Sequence, residues 1–198
     1  MEQPTNRILQ GQEDIPLNQL GEQQAKEAAK KLKHIKFDLA FSSDLLRAKR
    51  TTEVIAMEHK LAVATTKLLR ERYFGHLQGR SSELFHEYNL QLQSLTDEKK
   101  LQSRIIEDAE NDEEVIARII TFLREAAVAY PDKTILVGTH AGILRLLLIH
   151  LGFTTYEHID SFKIENASYI KLTSDGVDFF IKDVQGIRKK DTGDKQTF

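Results

Sequence analysis

TILVGTHAGILR, residues Thr134 to Arg145, opens with a β-branched apolar run, Thr134-Ile135-Leu136-Val137, which stops at Gly138. Thr139, His140, Ala141 and Gly142 follow, and then an almost continuous apolar run from Ile143 to Ile149 that carries one cation, Arg145. A short β-branched run, a tight glycine turn and a long Leu-rich run read as strand, turn and helix. In an α/β sheet, ligands bind at the carboxyl ends of strands, where the next helix begins. His140 falls at that edge, and the first N–H groups of the helix face the same space and favour an anion. Two readings stand at this point. His140 is part of a phosphate site, as a candidate nucleophile, or it merely ends a core strand.

Outward from this stretch, alternation of helices and strands continues. Leu20 to Leu32 places Leu20, Ala25, Ala28, Ala29 and Leu32 on one helical face, with Asn18 as N-cap. Phe37 to Phe41 reads as a strand ending at Ser42-Ser43, and Asp44 to Ala56 as the next helix, with a Ser at its cap. Lys67 to Leu69 reads as a short edge strand, Ser81 to Leu95 as a helix, and the charged segment Thr96 to Asn111 as a mobile excursion. Asp112 to Ala129 is the cleanest amphipathic helix, with Val115, Ile116, Ile119, Ile120, Leu123 and Ala127 at helical spacing, ended by Pro131-Asp132. Ser168 to Leu172 and Val177 to Ile181 read as a hairpin around Thr173-Ser174-Asp175-Gly176. The polar start, Met1 to Asn18, reads as an irregular loop. This order predicts an α/β fold, a mostly parallel central sheet with helices on both faces, in one domain over 1–187 followed by a polar tail, 188–198.

Composition narrows the function. The chain has 198 residues, 40% hydrophobic and 29% charged, with a net charge of −2. One ordinary core fits that length. The charge balance argues against a nucleic-acid surface, and the longest apolar run, Ile143 to Leu151, is far short of a membrane span. The absence of cysteine excludes disulfides and thiolate sites and fits a cytoplasmic location. The seven histidines show no paired spacing that would hold a metal.

Two more strand-end segments carry polar residues. In Phe41-Ser42-Ser43-Asp44-Leu45-Leu46-Arg47, an arginine one turn into a helix can reach back to an anion at its N-terminus, or lie solvated. In Leu69-Arg70-Glu71-Arg72, Glu71 is either an acid/base group or one partner in a surface ion-pair cluster.

Taken together, GQEDIPLNQLGEQQA (Gly11 to Ala25), FSSDLLRAKRT (Phe41 to Thr51), LRERYFGHLQG (Leu69 to Gly79) and GTHAGILR (Gly138 to Arg145) resemble, in order and separation, the motifs of the histidine phosphatase superfamily. That family includes phosphoglycerate mutases and small-molecule phosphatases. The resemblance implies a phosphoglycerate mutase-like fold and phosphoryl transfer through a phosphohistidine, with no metal and no cofactor. It implies that Glu71 is general acid and base, and that His140 is the second histidine, a donor to the phosphoryl oxygens. It also implies that Arg47, Gln10, Gly11 and Ala141 line the substrate pocket. The implied ligand is a small phosphorylated metabolite; the resemblance leaves oligomeric state open.

The chain departs from the family pattern at its start. The family's first strand ends in Arg-His-Gly, whose histidine is the nucleophile, and no histidine precedes Gly11 here. Loss of that internal strand would leave two neighbours with unpaired backbone groups. Two expectations follow: a phosphatase in full-length form, inactive without that strand, or a non-catalytic module that binds phosphate ligands. Ala141 stands where the family usually has Gly, which requires ordinary backbone angles there.

Overall fold

A computed structural model describes residues 8–92 and 94–189. The expected start of the N-terminal loop, 1–7, and most of the expected tail, 190–198, lie outside the described residues. In chain order the elements are α1 (Gln19–Leu32), β1 (Leu39–Ser43), α2 (Leu46–Glu58), β2 (Val63–Thr66), α3 (Ser82–Leu92), α4 (Asp97–Gln102), α5 (Asp112–Ala129), β3 (Ile135–Gly138), α6 (Ala141–His150), β4 (Phe162–Ser174) and β5 (Phe179–Lys189). The first three strands form a parallel sheet in the order β2-β1-β3, and β4 and β5 form an antiparallel hairpin.

The alternation of facing side chains along each strand explains the two layers of helix. Leu136 of β3 packs with Ala28, Ala29 and Leu32 of α1 and Ile55 of α2. Its neighbours Ile135 and Val137 point the other way, against Val115, Ile119 and Phe122 of α5 and Ile143, Leu146 and Leu147 of α6. β1 is the central strand, and its end carries Ser42 and Ser43, both fully buried. Gly138 is required where it is: a Cβ there would overlap the Thr52 hydroxyl of α2, so any side chain would push β3 off that helix.

β3 and β4 share both cores without pairing. Tyr169 of β4 lies in the α1–α2 cluster with Leu136, and Ile170 of β4 lies in the α5–α6 cluster with Ile135 and Val137. Among the described residues β3 pairs only with β1, and β4 only with β5. An all-apolar run in a parallel sheet is normally buried on both faces, yet no residue of β3 is fully buried. Among the described residues, the edge of β3 away from β1 therefore has no ladder partner.

Several local expectations change. The edge strand is Val63–Thr66, where β-branched residues cluster; Lys67–Leu69 is instead a 3₁₀ turn capped by the Thr66 hydroxyl. The N-cap residue of α2 is Leu45, not a serine, and its side chain makes no cap bond. The first helical N–H, of Leu46, donates to Asp14 at 2.7 Å, and Ser43 only accepts from the Leu45 N–H just ahead of the helix, at 3.3 Å. The helix expected over 81–95 ends at Leu92. The segment 96–111 is not a free excursion: it holds α4, and Ile105, Ile106 and Ala109 are buried against Leu77. The hairpin strands are far longer than expected, and β5 takes in Arg188, which was assigned to the tail.

Candidate active site

The carboxyl ends of β1 and β3 and the loop after β2 meet at the N-terminus of α6. His140 occupies the N-cap position of that helix, but its side chain caps nothing. It turns inward, with Nε2 2.9 Å from Ser43 Oγ at the end of β1. Glu71 does the capping: its carboxylate accepts from the Gly142 N–H at 3.1 Å and from the Arg72 N–H at 2.9 Å. A carboxylate at a helix N-terminus is favoured by the helix dipole. A Cβ at Gly142 would crowd that carboxylate, so glycine there lets Glu71 come close to the backbone.

Arg47, the second residue of α2, points back to this edge. Its guanidinium donates to the carbonyls of Gly11 (2.7 Å) and Glu13 (2.8 Å), and among the described residues no carboxylate is bonded to it. Burial lowers its pKa, and the nearby charges of Glu71 and Asp14 raise it. Gly11 is buried at φ +52° against Gln78, so its part is to turn the loop and present a carbonyl to Arg47. Ala141 sits in the first helical turn with an unstrained backbone, as its side chain requires. Gln10 is exposed, and its side chain makes no hydrogen bond among the described residues. The fold thus brings Arg47, Glu71, His140 and Ala141 to one edge, uses Gly11 behind Arg47, and leaves Gln10 at the rim.

The arginines flanking Glu71 do not pair with it. Arg70 makes a bidentate pair with Asp44, both contacts at 2.7 Å, and Arg72 pairs with Asp112, which also accepts from the Tyr156 hydroxyl at 2.7 Å. Glu71 is held from behind instead, by residues the sequence reading passed over. Arg118 of α5 donates to the carbonyls of Leu68 (2.9 Å), Arg70 (2.6 Å) and Glu71 (3.0 Å), and pairs with Glu110 at 2.9 and 3.0 Å. Gln12 donates to the Glu71 carbonyl at 3.0 Å. The signal for Arg118 was present: it lies three residues after Val115 and four before Phe122, a cation beside the apolar stripe of α5. Among the described residues no set of three or more histidine, aspartate or glutamate side chains converges as metal ligands.

His140 is 8% exposed, and its pKa is lowered from 6.5 to about 3, first by burial and then by the positive charges of Arg47 and Arg118. The imidazole is neutral at neutral pH. Below 6.5 the unfolded chain gains a proton that the folded chain refuses until about 3. This contribution to stability is complete above 6.5 and is lost as the pH falls, by up to about 1.4 kcal/mol per pH unit. Urea unfolding from about pH 7 to about pH 5 should therefore show a shallower loss of stability in His140→Gln than in the parent. Parallel slopes would contradict a buried neutral His140.

A parallel sheet flanked by helices, with a cation, a carboxylate and a neutral imidazole at its carboxyl edge, defines an α/β protein with a polar cluster at the strand ends. Comparison with known proteins gives the family. The model for the histidine phosphatase superfamily (branch 1) matches residues 1–185, and the chain belongs to that superfamily. It is 32% identical over 143 residues to the uncharacterized phosphatase PhoE of Bacillus subtilis (strain 168), covering 72% of this chain and 68% of that protein. Phosphoglycerate mutase-like protein 4 of Arabidopsis thaliana is also 32% identical over 143 residues, but the match spans 71% of this chain and only 62% of the plant protein. The structure of a mycobacterial glucosyl-3-phosphoglycerate phosphatase superposes with a TM-score of 0.74 at 25% identity, covering 93% of this chain and 94% of that one. Among the described residues no helix is long and apolar enough to cross a membrane.

Proposed function

We propose that this fold hydrolyses small phosphomonoesters through a phosphohistidine, with the nucleophilic imidazole supplied by a strand seated between β3 and β4. The observation that carries this reading is the convergence of Arg47, Glu71 and His140 at the carboxyl edge of the sheet, next to the edge of β3 that has no partner among the described residues. A strand added parallel to β3 on that edge would end beside His140. Arg47, the His140 N–H and the start of α6 then hold phosphoryl oxygens as charge develops on them. Glu71 is placed to protonate the leaving alcohol and afterwards to take a proton from the attacking water. The similarity to the uncharacterized phosphatase PhoE and to a glucosyl-3-phosphoglycerate phosphatase supports a hydrolytic reading, while other relatives are named phosphoglycerate mutases.

A second reading has its own observation. Among the described residues His140 is the one histidine bonded into this cluster, which supports reading the described part of the chain as a non-catalytic phosphate-binding module. Under both readings inorganic phosphate binds here and raises the melting temperature; ligand at about 100 times its Kd stabilises by ~2.7 kcal/mol. The readings part when an apolar strand ending in Arg-His-Gly is joined ahead of Met1. The extended protein is expected to release phosphate from an aryl phosphate, and the parent is expected to bind without turnover. A folded, extended protein with no turnover would leave only the binding reading. Absence of any phosphate-linked stabilisation in either protein would remove both.

A further inference from the structure

We infer that Ser43 is a positioning residue that fixes the tautomer of His140, holding the proton on Nδ1 so that a neutral imidazole presents a donor to the anion site. The argument is an accounting of one hydroxyl. Ser43 is fully buried. Its Oγ already accepts from the Leu45 N–H, at 3.3 Å, and among the described residues its only other hydrogen-bond partner is His140 Nε2, at 2.9 Å. A serine hydroxyl has one proton to give. If Nε2 carried the ring proton, Oγ would accept twice, and its own proton would be buried with no acceptor, an arrangement that costs the full desolvation of that group. If Ser43 donates to Nε2, every group is satisfied: Leu45 N–H to Oγ, O–H to Nε2. The neutral ring must then carry its proton on Nδ1.

Among the described residues Nδ1 has no hydrogen-bond partner, and it is not sealed from solvent. The charge of Arg47 reaches the ring. We assign an anion held by Arg47 as the acceptor for the Nδ1–H. The sequence Ser42-Ser43 gains a meaning from this. Ser42 faces Thr52 of α2 and helps seat the strand, at 3.1 Å between hydroxyl oxygens, while the next residue along the strand points the opposite way, to His140. The two serines divide a structural and a positioning role by strand alternation alone.

The functional consequence rests on the phosphate-site reading above; the tautomer does not. The test is the ¹⁵N spectrum of the histidine-labelled protein at neutral pH, in which long-range couplings identify the protonated ring nitrogen. His140 is expected as the Nδ1–H form. Ser43→Ala is expected to shift the ring toward Nε2–H, the form favoured by imidazole in water, and to weaken inorganic phosphate binding roughly tenfold by calorimetry. Ser43→Thr, which keeps the hydroxyl, should retain the parent tautomer. A parent spectrum with the proton on Nε2 overturns the inference without need of any variant. So does a folded Ser43→Ala protein with an unchanged tautomer. The expected tautomer in a protein that binds no phosphate would support Ser43 as the positioning group and sink the phosphate-site reading.

Discussion

In the strand-extended protein, Glu71→Gln is expected to lower phosphatase turnover by roughly 10²–10⁴-fold, the usual worth of a positioned general acid–base group. The substitution keeps size and leaves one amide oxygen, so of the Gly142 and Arg72 N–H groups, which donate to different carboxylate oxygens, one keeps its acceptor and the other loses it. That costs about 1–3 kcal/mol, small enough for the fold to persist. What is lost is the proton that moves to the leaving alcohol and returns from water. The loss should fall mainly on kcat, because in the proposed site phosphate is held by Arg47 and the start of α6. It should also shrink for an aryl phosphate with a good leaving group, which needs little protonation. Equal loss for alkyl and aryl esters would argue that Glu71 holds structure rather than a proton.

The largest expected effect on stability is at Arg118. Its guanidinium collects three carbonyls from the segment that carries Glu71 and is itself fixed by Glu110. The Arg118 and Glu110 side chains are 14% and 22% exposed. Arg118→Met removes every one of these donors and leaves the Glu110 carboxylate without its cation, with only the Tyr73 N–H, 2.8 Å away, still donating to it, so it is expected to cost about 3–5 kcal/mol. For a chain of this size that lowers the melting temperature by ~10 °C. Arg118→Lys keeps the charge but not the planar fork, and should fall between. Adding Glu110→Leu to Arg118→Met should recover part of the loss, because the stranded charge goes with it. If the double variant is as unstable as the two single losses summed, the pair is not the unit that holds the Glu71 segment.

The parts of the fold legible in the sequence were those set by local pattern. Period and capping gave α1, α5 and α6: Asn18 does cap α1, and Asn111 and Glu114 form a reciprocal box on α5. The strand before His140 was legible from its β-branched run and its glycine. What failed locally has a local cause. Lys67–Leu69 looked extended because Leu69 is apolar, but Leu69 is buried by a turn, not a ladder. Residues 96–111 looked free because they are charged, yet three apolar side chains among them suffice to anchor the segment against Leu77. The cap of α2 could not be read from its own flank, since it arrives from Asp14, distant in sequence.

The site divides the same way. His140, Glu71 and Arg47 were legible because each follows a strand end or opens a helix, where ligands gather in such sheets. Their settings were not. Whether Glu71 paired with Arg70 and Arg72 depended on where Asp44 and Asp112 came to lie, and both arginines turned to those carboxylates. That left the Glu71 carboxylate for the N-terminus of α6. The charge state of His140 likewise came from burial and from two arginines on other helices, a many-body desolvation that no spacing encodes. The sequence by itself determined which residue types stand at strand ends, because period and turn chemistry are local. Only the tertiary structure decided which of them share a hydrogen bond, which lose their water, and that β3 and β4 share two cores without sharing a ladder, because those depend on contacts between segments far apart in the chain.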